Sequence, residues 1–350
     1  MDQSAKVIIF TMAYNAQNTI GRTIESILKQ TNANFQYFIL DNAAEDKTEE
    51  IILEYCKKDK RIVPIHVNTN DSTNGGAFFH TLVNSSDADY IVWCDADDCY
   101  VEDFLEKTVR FAEDNHLDMV ACGYDKVDGN TGGIIKRKEL GKNLILHDEL
   151  FVDEFIKYRG FMIYMWGKLY SIPYLRKAGI TGTVRKERIC NDTIWMAGLF
   201  REAERVGIYG KPVYQYYQYP YSLSNINIEA SIGSYWDLWD VTKKYIESYG
   251  PVSKLNEDFL HAIHLSLVEE IVEKIFACES DTDNRLSMLY QVFSRKEWRE
   301  TLERDADPQF NNLAARGQYV SGIKQRILAL PDVEKYEQKK QQLLCCLEGR

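Results

Sequence analysis

Apolar runs and amphipathic stretches alternate through roughly the first hundred residues of the chain. Lys6-VIIFTMA is a branched, apolar run that suits a buried parallel strand. Asn18-TIGRTIESILKQ then places Ile20, Ile24, Ile27 and Leu28 at helical spacing. Phe35-QYFILD reads as a second strand closing on Asp41. Asp46-KTEEIILEYCKK reads as a second helix, with Asp46 or Thr48 near its cap and glutamates in its first turn. Arg61-IVPIHV predicts a third strand, in which Pro64 marks an edge or a bulge. A short helix over 77–83 follows the Asn74-Gly75-Gly76 turn, and Asp89-YIVWCDADD predicts a fourth strand running into an acidic block. Strand–helix alternation of this kind predicts an α/β, doubly wound sheet that takes its ligands at the carboxyl ends of its strands. Asp41 and the Asp95–Asp98 block both fall at such ends.

Further along, a helix runs from Glu102 to about Asn115, and Asp118-MVACGYDKV is a strand. The Asp128-GNTGG turn joins it to an antiparallel neighbour. The run Phe161-MIYMWGKLY follows, and a Tyr-rich strand over 206–219 ends the α/β region. From about Glu229 the periodicity becomes helical, as in Leu255-NEDFLHAIHLSLVEEIVEKIF. The expected organisation is therefore an α/β domain over 1–228 and an α-helical C-terminal domain over 229–350, which suits a chain of 350 residues.

The apolar fraction of 45% and charged fraction of 27% are those of a globular protein. A net charge of −11 argues against nucleic acid as a partner, which calls for a clustered basic surface. A diphosphate held by one metal ion and a few backbone amides is compatible with it. The eight cysteines show no CxxC pair and no metal-ligand spacing, so they read as free thiols of a reducing compartment. No window approaches the roughly 18 apolar residues of a spanning helix. MDQSAK carries no charged leader ahead of an apolar core, so the sequence predicts a cytoplasmic protein without a transmembrane segment. Contact with the inner face of a membrane from that side is compatible with this.

The chemistry centres on Asp95-Ala96-Asp97-Asp98. Carboxylates gathered at the end of a buried strand repel one another and are costly to desolvate unless a cation sits among them. A hard divalent ion meets that need and can bridge to phosphate oxygens. The competing reading is an acidic loop capping the next helix. Asp41 can accept hydrogen bonds from a base or ribose, or form a turn with Asn42. Thr11-Met12-Ala13-Tyr14-Asn15 can pack against a flat base, or be an ordinary loop. Asp192 precedes the helical pattern of Ile194-WMAGLFREAE and reads locally as a cap.

Taken in order, these segments resemble the family-2 glycosyltransferases, inverting enzymes of the glycosyltransferase-A fold. The resemblance rests on Met12-AYN, Asp41-NAAEDKT, Asp95-ADD, Trp166-GKLY, Asn191-Asp192-T and Tyr214-QYYQYPYSLS, and it covers about the first 225 residues. It implies a Rossmann-like, mixed and mostly parallel sheet flanked by helices. It further implies that Asp41 contacts the base and that Thr11, Ala13, Tyr14 and Asn15 line the nucleotide pocket. Asp95 would approach the ribose or the metal's hydration shell, and Asp97 would ligate manganese or magnesium. Asp192 would be the catalytic base, with His80, Trp166 and Asn191 in the acceptor and donor pocket. The implied donor is a nucleotide-diphosphate sugar, first of all a UDP-sugar, and the implied acceptor a glycan or lipid-linked hydroxyl in surface-polysaccharide assembly. The chain departs from the family at Met12 (proline), Asn42 (aspartate), His80 (asparagine), Asn191 (glutamate) and Tyr217 (arginine).

Two other enzyme readings fit less well. A haloacid-dehalogenase-like phosphatase needs Thr or Val where Cys99 stands, and a sugar nucleotidylyltransferase needs a Gly- and Arg-containing loop near the N-terminus that this chain lacks. An inactive glycosyltransferase-like module that binds nucleotide sugar or scaffolds a partner is the alternative from another class. In that case the helical domain, whose apolar stripes fit a core or a homodimer seam, would be the working surface.

Overall fold

In the computed structural model, which describes residues 5–179, 191–219, 228–305, 307–331 and 334–349, the opening run forms β1 (Val7–Ala13), buried at every position but Met12. The chain continues as α1 (Ile20–Leu28), β2 (Phe35–Asp41), α2 (Thr48–Lys58), β3 (Ile62–His66), α3 (Asn74–Ser85), β4 (Tyr90–Trp93) and β5 (Cys99–Tyr100). Next come α4 (Phe104–Asn115), β6 (Met119–Asp128), β7 (Ile134–Lys138), β8 (Leu144–Leu146), α5 (Leu150–Asp153) and α6 (Phe155–Tyr158). β9 (Lys168–Ser171), α7 (Ile172–Ala178), α8 (Asn191–Glu202) and β10 (Val206–Gln218) complete the first unit.

The sheet order is β3-β2-β1-β4-β9-β6-β10-β5, with β7 on β6 and β8 on β10. β3, β2, β1 and β4 run parallel, β9 enters antiparallel between β4 and β6, and β6 and β10 are parallel. This is the mixed, mostly parallel sheet flanked by helices that the sequence predicts. Pro64 lies on β3, the edge strand, where its missing N–H costs no ladder bond.

Alternation along β1 distributes the core over both faces of the sheet. Val7 and Ile9 pack with Ile20, Ile24 and Ile27 of α1 and with Phe104, Leu105 and Val109 of α4. Phe10 turns the other way, 6.4 Å from Phe79 of α3 between ring centroids and 5.0 Å from Trp93.

Two elements differ from their sequence expectation. α3 begins at Asn74 rather than residue 77, because Gly75 lets the helix close on the sheet. A Cβ there would lie 2.9 Å from the Met12 sulfur and 2.9 Å from Trp93. The predicted fourth strand stops at Trp93, and Asp95–Asp98 form a loop, after which the two-residue β5 pairs antiparallel with β10.

The described residues from Ile228 onward form a second compact unit. It contains α9 (Ile228–Glu247), α10 (Lys254–Ala277), α11 (Thr282–Phe293), α12 (Lys296–Glu303), α13 (Asn311–Leu328) and α14 (Glu334–Leu347). α10 is its central helix, capped by Ser253, whose hydroxyl accepts the Asn256 N–H at 3.2 Å. Thr301 donates to the Glu297 carbonyl and accepts from Nδ1 of both His261 (2.8 Å) and His264 (3.0 Å). Burial depresses these imidazoles to about 4 and about 3. No described helix is long and apolar enough to cross a membrane.

Candidate active site

The parallel register lines up the carboxyl ends of four neighbouring strands. Ala13 stands opposite Asp41, Asp41 opposite His66, and Phe10 opposite Trp93, two residues before Asp95. Just beyond the ends of β1 and β2 the backbone turns left-handed, at Asn15 and at Ala43 respectively. The Asn15 side chain fastens the two loops by accepting the Glu45 N–H at 2.8 Å. Tyr14, 42% exposed, is the open aromatic surface on this edge, while Ala13 is fully buried beneath it.

Asp41 is only 2% exposed, and both of its oxygens are engaged. Oδ1 accepts the Ala44 N–H at 3.1 Å, and Oδ2 accepts from His66 Nδ1 at 2.8 Å. Glu49 lies 3.3 Å from the same nitrogen. Asp41, Glu49 and His66 are the one described group of three ligand-type atoms within 4.8 Å of one another. The 2.8 Å contact is a hydrogen-bond distance, which makes His66 the donor that orients Asp41. Asn42, where the family carries aspartate, uses both ends of its amide. It donates to Asn70 and Asp71 and accepts from Asn74, fastening the loop that leads into α3. A carboxylate could not donate these bonds.

The acidic loop is held from several sides. Trp93 Nε1 donates to Asp95 at 2.7 Å, and the Asp95 N–H donates to the Tyr214 hydroxyl at 3.2 Å. Asp98 accepts the Tyr217 N–H at 2.7 Å, while its Oδ2 is buried without a partner among the described residues. Burial, and then the neighbouring Asp97, push the Asp95 carboxyl up to about 7, and Asp192 adds to the rise. Burial also raises Asp97 and Asp98, the latter reinforced by Asp97 and Asp95. The counter-charge is Arg22 of α1, whose Nη2 donates to the Asp97 carbonyl at 2.5 Å and to Tyr219 at 3.2 Å. Its guanidinium lies 3.6 Å above the Tyr217 ring, so an arginine from elsewhere stacks on the residue that replaces the family's own. Three carboxyls raised by burial and by one another lie along one loop, where a divalent cation near Asp97 or Asp95 would favour their ionised forms.

Asp192 lies in the first turn of α8, inside the helix rather than at its cap. Burial raises its carboxyl, and the Met165 N–H and the charge of Lys168 hold the rise back. Lys168 is itself buried, pushed down to about 7, and donates to the Tyr164 and Trp166 carbonyls. The charge of Asp192 is also felt at Asp95, whose carboxyl it helps to raise.

Three of the expected pocket positions have their side chains engaged within the protein. Thr11 is fully buried, with its hydroxyl on Tyr37 at 2.9 Å, because its place in β1 turns it into the core. Trp166 is 4% exposed and stacked between Tyr164 and Tyr214, at 4.2 and 4.5 Å. It supports the loop from beneath. His80 is exposed on α3 and pairs with Asn84 one turn on. The side chain of Asn191 lies outside the described residues, as do Lys186-ERIC and the end of the Tyr214 motif. The sequence analysis did not single out Arg22, His66 or Lys168. Of these, His66 was legible as the end of β3 beside Asp41.

The family model "Glycosyl transferase family 2" matches residues 8–171. EpsJ of Bacillus subtilis, an uncharacterized glycosyltransferase, is 28% identical over 225 residues, covering 63% of this chain and 63% of EpsJ. WfgD of Escherichia coli is a UDP-Glc:α-D-GlcNAc-diphosphoundecaprenol β-1,3-glucosyltransferase. It is 28% identical over 143 residues, covering 40% of this chain and 54% of WfgD. The chain thus spans less than two thirds of either relative. The crystal structure of S. aureus TarS 1–349 in complex with UDP-GlcNAc matches 98% of this chain and 90% of its own, with TM-score 0.54 and 15% identity. That likeness establishes the glycosyltransferase-A-type fold.

Proposed function

Since the chain belongs to glycosyl transferase family 2 through residues 8–171, we propose that it transfers a sugar, with inversion, from a nucleotide-diphosphate sugar to an acceptor hydroxyl. The observation that supports this reading is the family match over residues 8–171 together with the placement of Asp41 and the Asp95–Asp98 loop at the carboxyl ends of neighbouring parallel strands. UDP-sugars are the first donors to test, since those named with WfgD and TarS are UDP-Glc and UDP-GlcNAc.

In this reading Asp41, oriented by His66, accepts an N–H of the base, and Tyr14 covers the ring's open face. Asp97, with Asp95 beside it, would hold manganese or magnesium, and the bound ion would neutralise charge on the leaving diphosphate. Asp192 takes the proton of the attacking acceptor hydroxyl. Its burial raises its basicity, and Lys168 with the Met165 N–H fixes its orientation. Attack on the anomeric carbon opposite the leaving group inverts the configuration. A lipid-linked or glycan acceptor in surface-polysaccharide assembly, met at the inner face of a membrane, belongs to the same proposal.

Calorimetry with UDP tests the site map. Binding should strengthen with manganese, lose that enhancement in Asp97→Asn, and weaken in Asp41→Asn with the metal response intact. Metal-enhanced binding that survives in Asp97→Asn would overturn the assignment.

A further inference from the structure

Gly129–Gly133 turns the chain from β6 into β7, and directly after it Ile134 and Ile135 stand 56% and 57% exposed. The pairing explains why both point outward. Ile134 stands opposite Val127 and Lys136 opposite Lys126, so Ile135 is the extra residue of a β-bulge. Among the described residues β7 pairs only with β6 and leaves its other edge open. An exposed apolar pair on an open edge strand is a liability unless something covers it.

The charge around the pair indicates what does. Between 126 and 142 five basic residues stand against two acidic ones in a chain whose net charge is −11; Lys138 is half-buried over the Phe161 ring and Lys126 half-buried by Tyr216, which leaves Lys136, Arg137 and Lys142 exposed. Lys136 and Arg137 follow the isoleucines directly and are exposed, although Arg137 is tied to Asp125 at 2.7 Å. Apolar side chains flanked by lysine and arginine suit an anionic bilayer, where the former enter the interface and the latter meet the head groups.

The hairpin also adjoins the acidic loop. The Gly129 N–H donates to the Gln218 carbonyl at 2.9 Å, and a Cβ on Gly129 would strike the Tyr219 ring at 2.2 Å. Tyr219 accepts from Arg22, which also holds the Asp97 carbonyl.

We propose that the β6–β7 hairpin is a docking surface for an anionic lipid bilayer, setting the mouth of the site against the membrane. The surface stands on the hairpin's own exposure and charge. That it serves a lipid-linked acceptor rests on the function proposed above.

Co-sedimentation of the full chain with vesicles of phosphatidylglycerol and phosphatidylcholine, against phosphatidylcholine alone, tests it. The protein should partition onto the anionic vesicles only. Ile134→Ser/Ile135→Ser should lower that partition at least about tenfold, since burying each isoleucine contributes more than the roughly 1.4 kcal/mol of one decade. Lys136→Glu/Lys142→Glu should lower it as well. Both variants should keep the wild-type melting temperature and the wild-type rate of donor hydrolysis in solution, which separates a failure of docking from a failure of the transferase reading. Failure of the wild type to bind anionic vesicles, or equal binding by the isoleucine variant, would overturn the proposal. So would light scattering that shows a dimer dissolved by the isoleucine changes, because the occupant would then be a second copy.

Discussion

Stripped of divalent cations, the protein should lose stability as pH rises toward neutrality, and Asp95 is the group that reports it. Its carboxyl, raised first by burial and then by Asp97, keeps its proton to about pH 7 in the native state. In the unfolded chain an aspartate releases it near pH 3.9. Between those values the native state binds more protons than the unfolded one. The contribution is therefore fully present below about pH 4 and is lost as pH climbs through about 7. Three units at roughly 1.36 kcal/mol each set a ceiling of about 4 kcal/mol. Water reaches part of the Asp95 side chain, so about half of that, ~2 kcal/mol, is the working figure. A bound cation favours the ionised form and reverses the loss. Denaturant titrations of metal-stripped protein at about pH 5 and about pH 8, with and without manganese, read the effect directly. Manganese should stabilise little at the lower pH and strongly at the higher. Asp95→Asn should flatten the metal-free dependence. A metal-free wild type whose stability tracks that of Asp95→Asn at both values would refute the reasoning.

Asp192→Asn should stay folded and bind UDP normally, while sugar transfer falls at least about a hundredfold. Near wild-type transfer would leave Asp192 as a helix-start residue only. His66→Ala should weaken UDP binding about tenfold, the worth of a hydrogen bond to a charged group, and leave kcat nearly unchanged. His66→Asn, which can still donate to Asp41, should recover most of the loss, and an equal defect in both variants would dismiss His66 as the orienting donor. Trp166→Ala should cost about 3–5 kcal/mol by emptying the stack between Tyr164 and Tyr214. A melting temperature unchanged by that substitution would contradict its placement in the core.

The strand-end carboxylates were legible because buried parallel strands announce themselves as apolar runs, and ligands in such sheets gather where those runs stop. Asp41 and Asp95 follow from that rule alone. What lay hidden depends on contacts between residues far apart in sequence. Arg22 sits on a helix face with no motif around it, and only the fold brings it over Tyr217 and against the Asp97 carbonyl. Lys168 reads as a surface cation until β9 inserts between β4 and β6 and buries it beside Asp192. The side-chain directions of Thr11 and Trp166 were hidden for the opposite reason. Both occupy motif positions, but strand alternation and aromatic stacking turn their side chains inward. The start of α3 was missed because glycines read as a turn, where here the absent Cβ permits close packing against Met12 and Trp93.

The central claim is that this acidic, strand-end site turns over a nucleotide sugar with the help of a divalent cation. Release of nucleoside diphosphate from a panel of UDP-sugars, followed with manganese and then with chelator, tests it most directly. The account predicts release from at least one donor, abolished by chelator and by Asp97→Asn. Donor binding without any turnover across the panel, or turnover indifferent to both chelator and Asp97→Asn, would contradict it.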